Sequence, residues 1–154
     1  MSFWITHTSH TLTEEIPAAP DAVRDFYVDL DNIKVVHPLV VSVQTLSRNE
    51  TADGYVQTYR VRDRIPVAMF ALRVSYCARV EVPMRGDVRT EARQFPRVRL
   101  RGTVTFEPTE AGTCLTERLR IAAPRPLAAM TRREAVNAHT AMLSGIRNHF
   151  QSLP

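Results

Sequence analysis

Two ionisable side chains fall where apolar ones are expected. Glu117 shares the strand alternation of Leu115, Leu119 and Ile121, which turns it inward with them. His139 sits in the centre of an apolar helical stripe, with Ala135, Met142, Leu143 and Ile146 at i−4, i+3, i+4 and i+7. Gln57 and Tyr59 follow the same inward parity beside Tyr55 and Val61. A buried carboxylate or imidazole without a partner is costly, or shifts its pKa until it is neutral. An inward Glu117 and His139 therefore suggest a hydrogen-bonded pair or a polar spot in a cavity. Such groups could orient a ligand carbonyl or hydroxyl, or serve as general acid and base. Glu117, His139 and Tyr59 are the candidate catalytic residues. The plainer alternatives are a satisfied structural pair, or a one-residue register slip that turns Glu117 outward.

Other chemistry finds less support. His7, His10 and His37 invite a metal reading, but His7 and His10 are three apart on a strand and face opposite sides. His149 lies near the end of the last helix, where a cation suits the dipole. Cys77 and Cys114 are the only cysteines, with no CxxC spacing, so free thiols are expected in place of a disulfide framework or a zinc site. No GxSxG, HExxH, P-loop or Rossmann glycine pattern occurs. No metal and no other cofactor is expected.

The elements that must position these residues follow from periodicity. Residues 3–16 are rich in Thr and β-favouring residues and read as a strand that Pro17 ends. Pro20 and Asp21 suit the first turn of a helix whose apolar face is Val23, Phe26, Tyr27 and Leu30. Asp31 can cap a second short helix, which must stop near His37 because Pro38 follows. The period then changes to two, with strands over 39–46, 55–61, 68–82, 87–95, 97–106 and 113–123. The third of these is long enough that a bend or bulge is expected. Residues 126–151 read as one long amphipathic helix.

Strands joined by short turns make an antiparallel sheet, whose one apolar face needs a cover. The last helix offers the only large apolar helical face, so the sheet must curl around it. In RVRLRGTVTF (97–106), Val98, Leu100, Gly102, Val104 and Phe106 would face that helix, and Arg97, Arg99 and Arg101 would face water. Arg60, Arg62, Arg73, Arg79, Arg89, Arg93, Arg118 and Arg120 extend the charged side. No aromatic residues interleave with them, and Glu81, Glu91 and Glu107 dilute the field, so nucleic acid is not an expected partner. A solvated face is the simplest reading, with a homodimer interface or an acidic partner as alternatives.

The chain's 154 residues carry a net charge of +4, with 44% hydrophobic and 23% charged residues, the balance of one ordinary globular domain over 1–154. No apolar run approaches the roughly 20 residues of a transmembrane segment. MSFWITHTSH has neither a basic start nor an apolar core, which predicts a cytoplasmic protein.

Three stretches carry a family resemblance. IPAAPDAVRDFYVDLDN (16–32) resembles the opening strand, proline-rich step and first helix of the SRPBCC, or START-like, superfamily. His37–Pro38 stands where relatives often carry an aromatic–proline pair, and FEPTEAGTCLTERLRI (106–121) resembles the penultimate hairpin with its Gly–Thr step. Their order, with the C-terminal helix, covers essentially the whole chain. The resemblance implies an α+β helix-grip fold, in which a curved seven-stranded antiparallel sheet wraps a long C-terminal helix and two short helices follow strand 1. It also implies a cavity between sheet and helix for a hydrophobic or amphipathic small molecule, such as a lipid, quinone or polyketide-like compound.

Phe26, Tyr27 and His37 from the helical segment would line that cavity, with Gln57, Tyr59, Phe70, Leu72 and Tyr76 from the first hairpins. Leu100, Val104, Glu117 and Leu119 would follow from the later strands, and Ala135, His139, Met142 and Ile146 from the last helix. The fold hosts many activities. A binding module is the leading expectation, a polyketide cyclase or aromatase the first alternative, and an interaction module using the basic sheet surface the second.

Overall fold

A computed structural model of the protein describes residues 4–154, so Phe3 of the expected first strand lies outside the described residues. Strand β1 (Ile5–Ile16) leads through a proline step into helices α1 (Pro20–Val28) and α2 (Leu30–Val36). Six further strands follow: β2 (Val40–Thr51), β3 (Gly54–Val67), β4 (Phe70–Pro83), β5 (Val88–Gln94), β6 (Val98–Thr109) and β7 (Gly112–Pro124). Helix α3 (Arg125–Gln151) closes the chain. All neighbours in the curved sheet are antiparallel, in the order β1-β7-β6-β5-β4-β3-β2.

Local chemistry explains the boundaries. Pro20 opens α1. Asp29, not Asp31, caps α2, its side chain accepting from the Asp31 N–H at 2.9 Å, because Asp31 already lies inside the helix. Residues 62–67, which fall between the expected strands 55–61 and 68–82, instead continue β3, since every residue from Gly54 to Val67 finds a partner on β4. No bulge interrupts the β4 pairings. The irregularity falls on β2, whose register shifts between Val40 and Ser42 and again between Thr45 and Ser47. Ala68 and Met69 belong to the β3–β4 turn, where Ala68 adopts a positive φ of 53°.

Inward parity is clear on β7, where Thr113, Leu115, Glu117, Leu119, Ile121 and Ala123 are all buried and the residues between them are not. Glu117 therefore points inward, and the register slip does not occur. The core is concentrated at the end of the sheet farthest from the start of α3. There Ile16, Val23, Val80, Val104, Leu115, Leu143 and Ile146 are almost fully buried. The sheet beneath the first half of α3 carries smaller residues: Ala78 pairs with Ala92, and Thr90 with Gly102. Ala135 and Ala138 are the small residues of the helix above. That contrast keeps the two layers apart at one end and packed at the other.

Thr113 Oγ1 donates to the Ala18 carbonyl at 2.7 Å, tying β7 to the proline step. Gly112 has φ +146°, and a Cβ there would meet the backbone of Ile16 and Ala18, with the Ala18 nitrogen 2.7 Å away. Gly112→Ala should cost at least about 1 kcal/mol through strain and close backbone contact, read as a lowered thermal midpoint with the far-ultraviolet spectrum unchanged.

Candidate functional site

The space between the sheet and the first half of α3 is a cavity of about 450 Å³. Its floor includes Val61, Val74, Tyr76, Ala78, Ala92, Leu100, Gly102 and Leu119. Leu127, Met130, Ala135, Ala138, His139 and Met142 of α3 form the roof, and Leu30, Ile33 and His37 of the short-helix segment close one side. Leu72 and Phe95 both line the cavity and reach solvent, at 48% and 91% exposure, which puts the mouth between the β3–β4 and β5–β6 turns and the start of α3.

The polar groups are few and connected. Glu117 is fully buried behind the wall. Its Oε1 lies 2.5 Å from His139 Nδ1, and its Oε2 accepts from the Tyr27 hydroxyl. The carboxylate thus joins α1, β7 and α3, and uses both oxygens in doing so. Burial pushes the Glu117 carboxyl up, but the His139 charge and hydrogen bonds from His139 and Tyr27 outweigh it and hold the group below its ordinary range. Burial likewise pushes His139 down, and Glu117, with a further contribution from Asp63, reverses this and raises it. Glu117 and His139 form a buried ion pair whose free imidazole nitrogen, Nε2, is left to the cavity.

His37 stacks edge-on against His139, with ring centroids 5.4 Å apart. Its Nδ1 accepts from the Leu39 N–H at 3.2 Å, so the neutral ring carries its proton on Nε2. Burial first, and the neighbouring His139 charge second, push His37 down to about 3. The two rings on the same chamber are therefore driven in opposite directions, His139 toward its charged form and His37 toward its neutral one. A second polar spot lies on β3 and β4, where the Tyr76 hydroxyl donates to Asp63 Oδ1 at 3.3 Å. Burial pushes the Asp63 carboxyl up to about 6.

Of the residues expected from the sequence, Tyr27, His37, Leu72, Tyr76, Leu100, Leu119, Ala135, His139 and Met142 line the cavity together. Glu117 stands behind His139. The others lie elsewhere. Tyr59 is buried in the packed core and does not line the cavity, its hydroxyl donating to the Val28 carbonyl at 3.3 Å. Val104 and Ile146 are fully buried core residues at the closed end. Phe26 packs against the rings of His149 and Phe150. Gln57 donates to Thr45 Oγ1 at 3.3 Å, toward the far end of β3. Phe70 is 79% exposed, at the tip of the β3–β4 hairpin on the same end of the sheet as the start of α3. His7 and His10 fall on the outer and inner faces of β1. Sequence reasoning misses Asp63 and the leading helix residues Leu127 and Met130. Asp63 continues the alternation of Tyr55, Gln57, Tyr59 and Val61, a signal the sequence does contain.

The pair's effect on stability has a definite sign. Glu117 contributes above its ordinary value of 4.5 and loses that contribution as pH falls through its lowered folded value. His139 contributes below its ordinary value of 6.5 and loses that contribution as pH rises through its raised folded value. Urea denaturation of Glu117→Gln should show a loss of about 3 kcal/mol, largest between the two ordinary values and smaller on either side. The double variant Glu117→Gln/His139→Gln should lose less than the sum of the single losses.

No curated protein matches the chain by sequence. Solved structures resemble it in fold. TTHA0849 from Thermus thermophilus has TM-score 0.70 and 19% identity, over 96% of this chain and 98% of its own. The Zhui aromatase/cyclase from Streptomyces sp. R1128 has TM-score 0.67 and 18% identity, over 96% and 94%. A START superfamily protein from Mycobacterium smegmatis has TM-score 0.62 and 13% identity, over 96% and 99%. The family model described as polyketide cyclase / dehydrase and lipid transport matches residues 7–151, nearly the whole chain, and the protein belongs to that family.

Proposed function

We propose that the protein binds an apolar or amphipathic small molecule, lipid-, quinone- or polyketide-like, with a polar oxygen of the ligand on His139. The observation that carries this reading is the pairing of an apolar chamber with one charged imidazole that Glu117 holds from behind. About 450 Å³ is within the range of small-molecule sites. The apolar walls supply affinity by burying ligand surface, and His139 Nε2 supplies orientation. The basic outer face supports an interaction role less well, because Glu91 already holds Arg93, Arg99 and Arg101 within 3.2 Å.

Native mass spectrometry of gently purified protein should show a bound apolar compound, and a fluorescent apolar probe should be displaced by it. Ala135→Trp fills the roof and should weaken probe uptake by at least about tenfold with the fold intact. Uptake unaffected by this change would contradict the reading.

A cyclase or aromatase activity is the second reading, favoured by Asp63. A carboxyl at about 6, in the same chamber as an imidazolium, suits a base that removes an acidic α-proton while His139 polarises the carbonyl under attack. With a poly-β-ketone substrate, Asp63→Asn and His139→Gln should each slow ring closure by about a hundredfold while binding persists. Tyr59→Phe should leave turnover unchanged and cost about 1 kcal/mol of stability. Equal turnover in all three variants would exclude this reading.

A further inference from the structure

The mouth of the cavity is framed by large apolar side chains that touch little else. Met69 is 94% exposed, Phe70 79% and Phe95 91%, and they sit on the two hairpin turns that flank the mouth. Single exposed apolar side chains are ordinary, as Met84 is at the opposite end with 77% exposure, but three grouped around one opening mark a contact site.

Charge is segregated along the same axis. The segments that reach the mouth end, residues 64–80, 92–106 and 118–133, contain twelve arginines and no aspartate or glutamate. Glu14, Glu15, Asp21, Asp53, Asp87 and Glu110 lie at the opposite end, on its turns and the strand ends beside them. The carboxylates near the mouth are engaged or enclosed: Asp63 is buried, Glu91 is ringed by three arginines, and Glu134 of α3, which lines the cavity, lies 3.9 Å from Arg133. Arg64 and Arg73 stand directly opposite each other across the protruding hairpin, both exposed. Neither they nor Arg97 has an ion pair among the described residues. Like charges facing across a hairpin weaken it, and an anionic surface would relieve that repulsion.

We propose that the protein docks its mouth end onto an anionic lipid surface, with Met69, Phe70 and Phe95 entering the interface and Arg64, Arg73 and Arg97 meeting lipid phosphates. The convex, isolated tips favour a bilayer over a folded acidic partner, which would need a pocket for each ring. Docking in this orientation opens the chamber directly toward the acyl chains. It goes beyond small-molecule binding and does not depend on what the chamber holds.

The test is co-sedimentation of the full chain with vesicles of phosphatidylcholine alone, or with about one-third phosphatidylglycerol. Binding should favour the anionic vesicles by about tenfold or more and weaken as salt is raised. Met69→Ser/Phe70→Ser should reduce it by about tenfold, as should Arg64→Gln/Arg73→Gln/Arg97→Gln. Neither Met69 nor Phe70 lines the cavity, so the first variant should take up a soluble apolar probe as before; that readout separates lost docking from lost folding. The proposal is overturned if the protein ignores both vesicles, binds them equally, or binds undiminished in the Met69→Ser/Phe70→Ser variant. Binding to polyglutamate with indifference to vesicles would overturn it in favour of an acidic protein partner.

Discussion

A single buried carboxylate ties the architecture together. Glu117 comes from the middle of β7 and is met on one side by the Tyr27 hydroxyl of α1 and on the other by His139 of α3. The short-helix layer, the sheet and the long helix therefore meet at one charged group. An ion pair with no solvent exposure on the carboxylate side gains little over apolar packing, since desolvation offsets most of the attraction. What it does supply is direction. The imidazole is held by Nδ1 so that Nε2 faces the chamber, and its proton is retained because the carboxylate behind it remains charged. The neutral His37 ring beside it then differs in charge while sharing the same wall.

The chamber survives because the two halves of the molecule are packed to different densities. At the closed end, branched and aromatic residues from α1, α3 and six strands interlock, with Val23, Val88, Val104, Leu115 and Ile146 wholly excluded from solvent. At the open end the facing positions are alanines and a glycine, and side chains this short cannot span the gap. The long β3–β4 hairpin projects past this open end, which explains both the exposed aromatic ring at Phe70 and the position of the mouth.

Much of this is legible in the residues themselves. The alternation Leu115, Glu117, Leu119, Ile121 turns the carboxylate inward, and the helical spacing around His139 turns the imidazole toward the sheet; nothing local says that they meet. That contact depends on the crossing of α3 over β7, a tertiary property. Tyr59 has the expected parity but lies at a different depth along its strand, because period-two patterning fixes the face and not the depth. Asp63 escapes a sequence reading because RDRIP resembles a turn: its charges and proline outweigh a parity that runs on unbroken into β4 pairing. The charge segregation is also present in the sequence, but becomes visible only once the topology brings alternate turns to opposite ends.

The state of the His139 ring tests the central claim most directly. Nitrogen-15 NMR of the ligand-free protein at neutral pH should show both nitrogens of His139 protonated, beside a neutral His37 with its proton on Nε2. A neutral His139 would contradict the account: Glu117 would not be holding a charge at the wall, and the chamber would have no fixed polar anchor.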